Sequence, residues 1–213
     1  MQTTFKLFFS CLLCFSLVLL SGCGDGVPKL TPAEQAEVDE IMQGGTHIID
    51  YYLGLQRGKE DIDANRIIKY CKYFIAKGAD VNADPRYGFP LGMAAELGNV
   101  EIVKFLVSQG ADVNARTPSG YRETPLHLVF ESNRRSIEIV KFLVSKGADV
   151  NAKNGMGMTA LHFAAHTGAF ESVKFLISKG ANANVRDGMG RTPLDLARNY
   201  GYTEIVNYLS DLK

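Results

Sequence analysis

The sequence predicts an all-α solenoid of about five helix-turn-helix units joined by short β-hairpin loops. Three observations predict it. A six-residue element recurs as Gly78-Ala79-Asp80-Val81-Asn82-Ala83, Gly110-Ala111-Asp112-Val113-Asn114-Ala115, Gly147-Ala148-Asp149-Val150-Asn151-Ala152 and, altered, Gly180-Ala181-Asn182-Ala183-Asn184-Val185, with spacings of 32, 37 and 33 residues. Repetition at this period marks stacked units that bury their faces against one another. Ahead of the last three stand Glu101-Ile102-Val103-Lys104-Phe105-Leu106-Val107, Glu138-Ile139-Val140-Lys141-Phe142-Leu143-Val144 and Glu171-Ser172-Val173-Lys174-Phe175-Leu176-Ile177. Apolar residues at helical spacing with Lys opposite them describe half-buried helices.

A shorter helix signal opens the later units: Thr124-Pro125-Leu126-His127, Thr159-Ala160-Leu161-His162 and Thr192-Pro193-Leu194-Asp195. Thr suits the N-cap, and Pro suits the first helical position because its missing N–H would have no partner there. Small residues such as Ala164, Ala165 and Ala197 allow close helix approach. The Gly after each second helix can take the left-handed conformation that stops it. Upstream, Thr31-Pro32-Ala33-Glu34 reads as a capping box that opens a helix.

These elements together resemble the ankyrin repeat, over about residues 45 to 213. The resemblance implies a divergent first repeat at 45–83, repeats at 84–115, 116–152 and 153–185, and a closing repeat at 186–213, behind a capping helix at 31–44. In the second unit Phe89-Pro90-Leu91-Gly92 replaces Thr-Pro-Leu-His, so both cap and His are missing. The third unit carries extra residues around Gly120-Tyr121-Arg122-Glu123 and Glu131-Ser132-Asn133-Arg134-Arg135, which lengthen its period and should make its tip project.

The N-terminus carries a different signal. Lys6 is followed by a run from Leu7 to Leu20 without a charge, then by small residues. That is a secretory signal pattern, shorter than the roughly 20 apolar residues that a spanning helix needs. Leu20-Ser21-Gly22-Cys23 resembles the lipobox of bacterial lipoproteins, which implies cleavage after residue 22 and lipidation of Cys23. Residues 23–30 then form a tether, reaching about 20–25 Å when extended. Acyl chains contribute about 0.8 kcal/mol per buried CH₂, so several anchor firmly. Because lipoproteins retained at the inner membrane tend to carry Asp after the Cys, the same resemblance implies from Gly24 the outer membrane over the inner one, with the domain facing the periplasm. Cys11 and Cys14 leave with the signal, and Cys71 sits in an apolar helical pattern as a buried small hydrophobe.

Composition removes several functions. The 213 residues carry 23 Lys+Arg and 23 Asp+Glu, a balance that argues against an electrostatic nucleic-acid binder. Of His47, His127, His162 and His166, only His162 and His166 have an i, i+4 metal-ligand spacing, and a metal-dependent enzyme using that pair is the remote alternative. His127 and His162, however, occupy the position where the resemblance implies hydrogen bonds between neighbouring loops. No catalytic constellation and no cofactor motif is found, and segments such as Gly155-Met156-Gly157 read as turns.

The resemblance therefore implies a non-catalytic module, acting as a monomer, that binds a periplasmic or envelope protein through its concave face. Carried onto this sequence, the contact positions are Arg86, Tyr87, Phe89, Glu96, Leu97, Arg116, Tyr121, Arg122, Glu131, Lys153, Met156, Met158, His166, Arg186, Met189, Arg191 and Tyr200. Aromatic residues, Met and Arg are the composition of an interface core. Basic residues just before the tips, Arg116, Lys153 and Arg186, suggest an acidic patch on the partner. The competing expectation for Met156 and Met189 is that they pack as spacers between loops. Two roles fit the module: an inhibitor or immunity protein against an envelope-acting toxin or hydrolase, and a scaffold for an envelope enzyme.

Overall fold

The computed structural model describes residues 27–43, 63–82, 90–118, 120–131 and 135–212. Cys23, the signal segment, His47, Arg86, Tyr87 and Phe89 lie outside the described residues. Within them the chain forms α1 (Pro32–Gln43), α2 (Ala64–Ala76), α3 (Pro90–Leu97), α4 (Val100–Ser108), α5 (Pro125–Leu128), α6 (Ile137–Ser145), α7 (Ala160–His166), α8 (Phe170–Ser178), α9 (Pro193–Asn199) and α10 (Thr203–Ser210). The helices stand in two rows. α3, α5, α7 and α9 pack in sequence as one row, α2, α4, α6, α8 and α10 as the other, and each short helix also packs on the longer one that follows it.

The amphipathic stretches set this arrangement. Ile102, Val103 and Leu106 of α4 are buried, as are Ile139, Val140 and Leu143 of α6, and Val173 and Leu176 of α8. Between the rows lie Ala94, Ala95, Ala164, Ala165 and Ala197, all without exposed surface. Their lack of bulk allows close approach of the first-row helices, and Leu91, Leu126, Leu161 and Leu194 fill the remaining space. α2 contributes Ile67, Tyr70, Cys71 and Phe74 to the same continuous core. Cys71 is buried and unbridged.

Local chemistry fixes the helix ends. Gly78, Gly110, Gly147 and Gly180 follow the longer helices at φ between +86° and +92°. Each is part of a Schellman end: the Gly147 N–H donates to Val144 O and the Ala148 N–H to Leu143 O, at 3.1 and 3.0 Å. At the front, Thr31 and Glu34 close the expected capping box, with the Thr31 N–H donating to Glu34 Oε2 at 2.7 Å. The same carboxylate receives Lys69 Nζ, which ties α1 to α2. These hydrogen bonds, that from Lys69 first, lower the Glu34 pKa to about 2.

The connecting loops differ from the expected β-hairpins, since no strand occurs among the described residues. Each of the last three tips has a backbone bond across the turn: Thr117 N–H to Glu123 O, Asn154 N–H to Met158 O, and Asp187 N–H to Arg191 O, at 2.8, 2.8 and 2.9 Å; the last two tips add a second, Gly157 N–H to Asn154 O and Gly190 N–H to Asp187 O. In the last two tips a side chain adds to these backbone bonds. Asn154 Oδ1 accepts from the N–H groups of Met156 and Met158, and Asp187 Oδ1 accepts from those of Met189 and Arg191.

Candidate interaction face

The tips and the ends of the first-row helices form one side of the molecule, held in register by two side-chain ladders and by backbone bonds between neighbouring tips, from the Gly155 N–H to Tyr121 O and from the Gly188 N–H to Met156 O. The Thr124 backbone N–H donates to His127 Nδ1 at 3.1 Å. Nδ1 is therefore the acceptor nitrogen, so Nε2 carries the proton and donates to Met158 O of the next unit at 3.1 Å. His162 repeats this with Thr159 and Arg191 O. Burial holds the His127 pKa down at about 4, against the weaker upward pull of the Met158 carbonyl, and burial lowers that of His162 too. Both rings stay neutral and keep the bridging tautomer. With both nitrogens engaged, His162 cannot pair with His166 as a metal ligand, and the His166 ring instead meets Tyr200 edge-on at 4.3 Å.

The second ladder runs through the Asn of the recurring element. Asn114 Nδ2 donates to Gly147 O at 3.0 Å while its Oδ1 accepts the Asp149 N–H at 2.9 Å. Asn82 makes the same two bonds to Gly110 and Asp112, and Asn151 to Gly180 and Asn182. Sequence inspection assigns these residues no role, although their recurrence at one position was the available signal.

On this framework the expected contact residues divide. Tyr121, Met156, Met189 and Tyr200 are 56%, 43%, 78% and 55% exposed. Arg122 is exposed at φ +48° and Lys153 is exposed, while Glu131 is exposed and Glu96 and His166 are half-buried on the same side. Leu97 and Met158 are corrections. Leu97 is buried because the chain reverses at Gly98 and turns its side chain into the core under α3. Met158 is buried under its own loop, where its N–H bonds Asn154 and its carbonyl receives His127. Neither offers a contact surface.

The basic residues before the tips also differ from expectation. Arg116 donates through Nη1 to Arg122 O and Lys153 O, at 3.1 and 2.7 Å, and so clamps two neighbouring loops. Arg186 closes on Gly190 O of its own loop at 2.6 Å. Arg191 pairs with the buried Asp187 carboxylate at 2.8 Å. Burial pushes the Asp187 pKa up, but the hydrogen bonds from Arg191 and Met189 outweigh it and the net shift is downward. These guanidiniums brace loops, whereas Lys153 and Arg122 stay exposed at the tips.

Carboxylates share this side with them. Burial raises the Glu123 pKa first, with Glu131 and Glu96 adding repulsion. Burial likewise raises that of Glu131, followed by Glu96, while His166 offsets in the other direction. Glu123 is the member of this group that sequence inspection does not single out, because a lone Glu in a loop carries no pattern.

The family profile "Ankyrin repeats (3 copies)" matches residues 62–154 and 126–213. The chain belongs to the ankyrin-repeat family, whose repeats serve in general as non-catalytic protein-binding modules. No curated protein matches it. Among the described residues, no helix is long and apolar enough to cross a membrane.

Proposed function

We propose that this chain is a lipid-anchored interaction module of a bacterial envelope, facing the periplasm, that captures an envelope protein across its loop tips and concave row. The observation that supports the capture surface is the line of exposed Tyr121, Met156, Met189 and Tyr200 on the braced side of the solenoid. A preordered surface of aromatic and Met side chains loses little conformational entropy on binding. The anchor rests on Leu20-Ser21-Gly22-Cys23 behind an uncharged apolar run.

The capture surface is tested by Tyr121→Ala combined with Met156→Ala, with cross-linking in intact cells. Loss of a single cross-linked partner with an unchanged melting temperature is the expected result. Loss of helical circular dichroism together with the cross-link would make these side chains spacers. The anchor is tested separately by labelling cells with a radioactive fatty acid: Cys23→Ser is expected to remove all label, and retained label would place the lipid elsewhere.

A further inference from the structure

The third and fourth tips, residues 116–123 and 153–158, hold three basic residues, Arg116, Arg122 and Lys153, against one acidic residue, Glu123, in a chain whose basic and acidic residues are equal in number. All three cations are exposed, whereas Glu123 is half-buried. Neither Arg122 nor Lys153 has an ion-pair partner among the described residues. Arg116 gathers them. Its Nη1 donates to Arg122 O and to Lys153 O, and because a carbonyl accepts a hydrogen bond without cancelling the charge, three cationic residues are held together at one joint. The Gly155 N–H bonds Tyr121 O across the same joint, which sets the exposed Tyr121 and Met156 beside them.

The backbone singles out one of the three. Arg122 has φ +48° and is the one non-glycine residue with positive φ among the described residues. It stands two residues before the helix cap Thr124, and the residues two before Thr159 and Thr192 are Gly157 and Gly190, at φ +73° and +78°. The same turn is therefore made three times in the left-handed region, twice with the residue that adopts it freely and once with an arginine, whose Cβ disfavours it. The Arg122 side chain does not hold the loop, since it makes no hydrogen bond or ion pair among the described residues. The fixing bonds come from its backbone carbonyl, from Tyr121 O, and from the Glu123 N–H and O on Thr117. Strain that neighbouring bonds hold in place, beneath an exposed and unengaged side chain, marks a residue kept for an external contact.

We infer that Arg122, together with Lys153 and Arg116, receives an Asp or Glu side chain of a polypeptide partner, in an acidic segment whose apolar neighbours rest on Tyr121 and Met156. The inference rests on the protein-binding reading above and specifies the partner's chemistry. Like charges gathered without counter-ions repel one another, and a carboxylate set among them relieves the repulsion while the Arg122 fork matches its two oxygens. Exposed cations of this kind govern the choice of partner more than raw affinity. Three cations on two tips are too short a stripe for a nucleic-acid backbone.

The test uses the full-length protein in detergent and two short fluorescent peptides that share their Leu, Phe and Gly positions and carry Glu or Lys at the remaining sites. Anisotropy is expected to show the Glu peptide binding about tenfold more tightly, the scale of two or three exposed ion pairs acting together. Arg122→Gly is expected to cut that preference about threefold while the melting temperature holds or rises, because it places in this tip the residue that the next two tips have. Arg122→Lys, which keeps both charge and strain, should retain most of the preference. A lower melting temperature in Arg122→Gly would make the side chain a brace of the loop and overturns the inference. So do equal binding of the two peptides, no binding of either, and a Glu preference that survives Arg122→Gly combined with Lys153→Gln. Displacement of the Glu peptide by inorganic phosphate, beyond that by chloride at equal ionic strength, would make this a phosphate site and overturns it as well. If the peptides bind equally but Tyr121→Ala with Met156→Ala abolishes binding, this inference fails and the capture surface stands; if that pair leaves the Glu preference intact, the capture surface fails and this inference stands.

Discussion

His127 and Asn114 each join two units with one side chain, and they respond differently to solution conditions. Native His127 titrates at about 4 against an ordinary 6.5. Between those values the unfolded chain binds a proton that the folded chain refuses, so stability falls as pH falls through this window. Glu123 and Glu131 act with the opposite sign because their pKa values are raised. The informative quantity is therefore the difference between wild type and His127→Gln in urea unfolding, which should narrow as pH drops from 6.5 toward 4. A constant difference would mean that His127 is not the bridging neutral imidazole. Asn114→Ala removes both of its bonds to the next unit and should cost about 1–3 kcal/mol. Asn184, at the matching position of the fourth unit, makes no such side-chain bond among the described residues, so Asn184→Ala should stay within about 0.5 kcal/mol of wild type. Equal losses at the two sites in urea titrations would contradict the ladder.

At the scale of the element, helix ends and helix contacts separate two kinds of small residue. A Cβ on Gly147 would meet nothing within 4 Å, so the cost of Gly147→Ala comes only from its φ of +92°, about 1–2 kcal/mol. Gly168→Ala should cost more, because its Cβ would strike the Tyr202 ring, and Tyr202→Ala should recover part of the loss. Ala165→Arg forces a long cation into a fully buried contact and should lower stability by about 3 kcal/mol or more; an unchanged thermal midpoint would refute the register. Most of this was legible in the sequence. Thr124, Thr159 and Thr192 announced their helices, and the four Gly residues announced the ends, since caps and left-handed stops depend on local chemistry alone. The loop closures were not legible as such. Asn154 and Asp187 reinforce short backbone turns with side-chain acceptors, and a hairpin and an Asx-type loop present the same polar, Gly-containing pattern. Arg116 was misread for a related reason. Its charge is visible in the sequence, but its two carbonyl acceptors come from its own tip and from the following unit. Leu97 and Met158 showed the same limit, because a position adjacent to a contact site need not point outward.

Across the whole molecule the joints between units are unequal. The third and fourth units are joined by His127 and by Asn151, and the fourth and fifth by His162 together with the packing of α7 on α9. The second and third units share Asn114 but no imidazole, since Gly92 stands where the His would be. The Lys104–Glu138 pair across the same joint is exposed and adds little. In mechanical terms the solenoid is a rod whose joint between the second and third units lacks the imidazole clamp of the two joints after it, although α3 packs on α5 as fully as α7 packs on α9. Hydrogen exchange should show this as amides of α3 and α4 opening at lower free energy than those of α7 and α8. A partner gripping both ends would stiffen the rod, and the slowing of exchange in α3 would report its arrival from a distance.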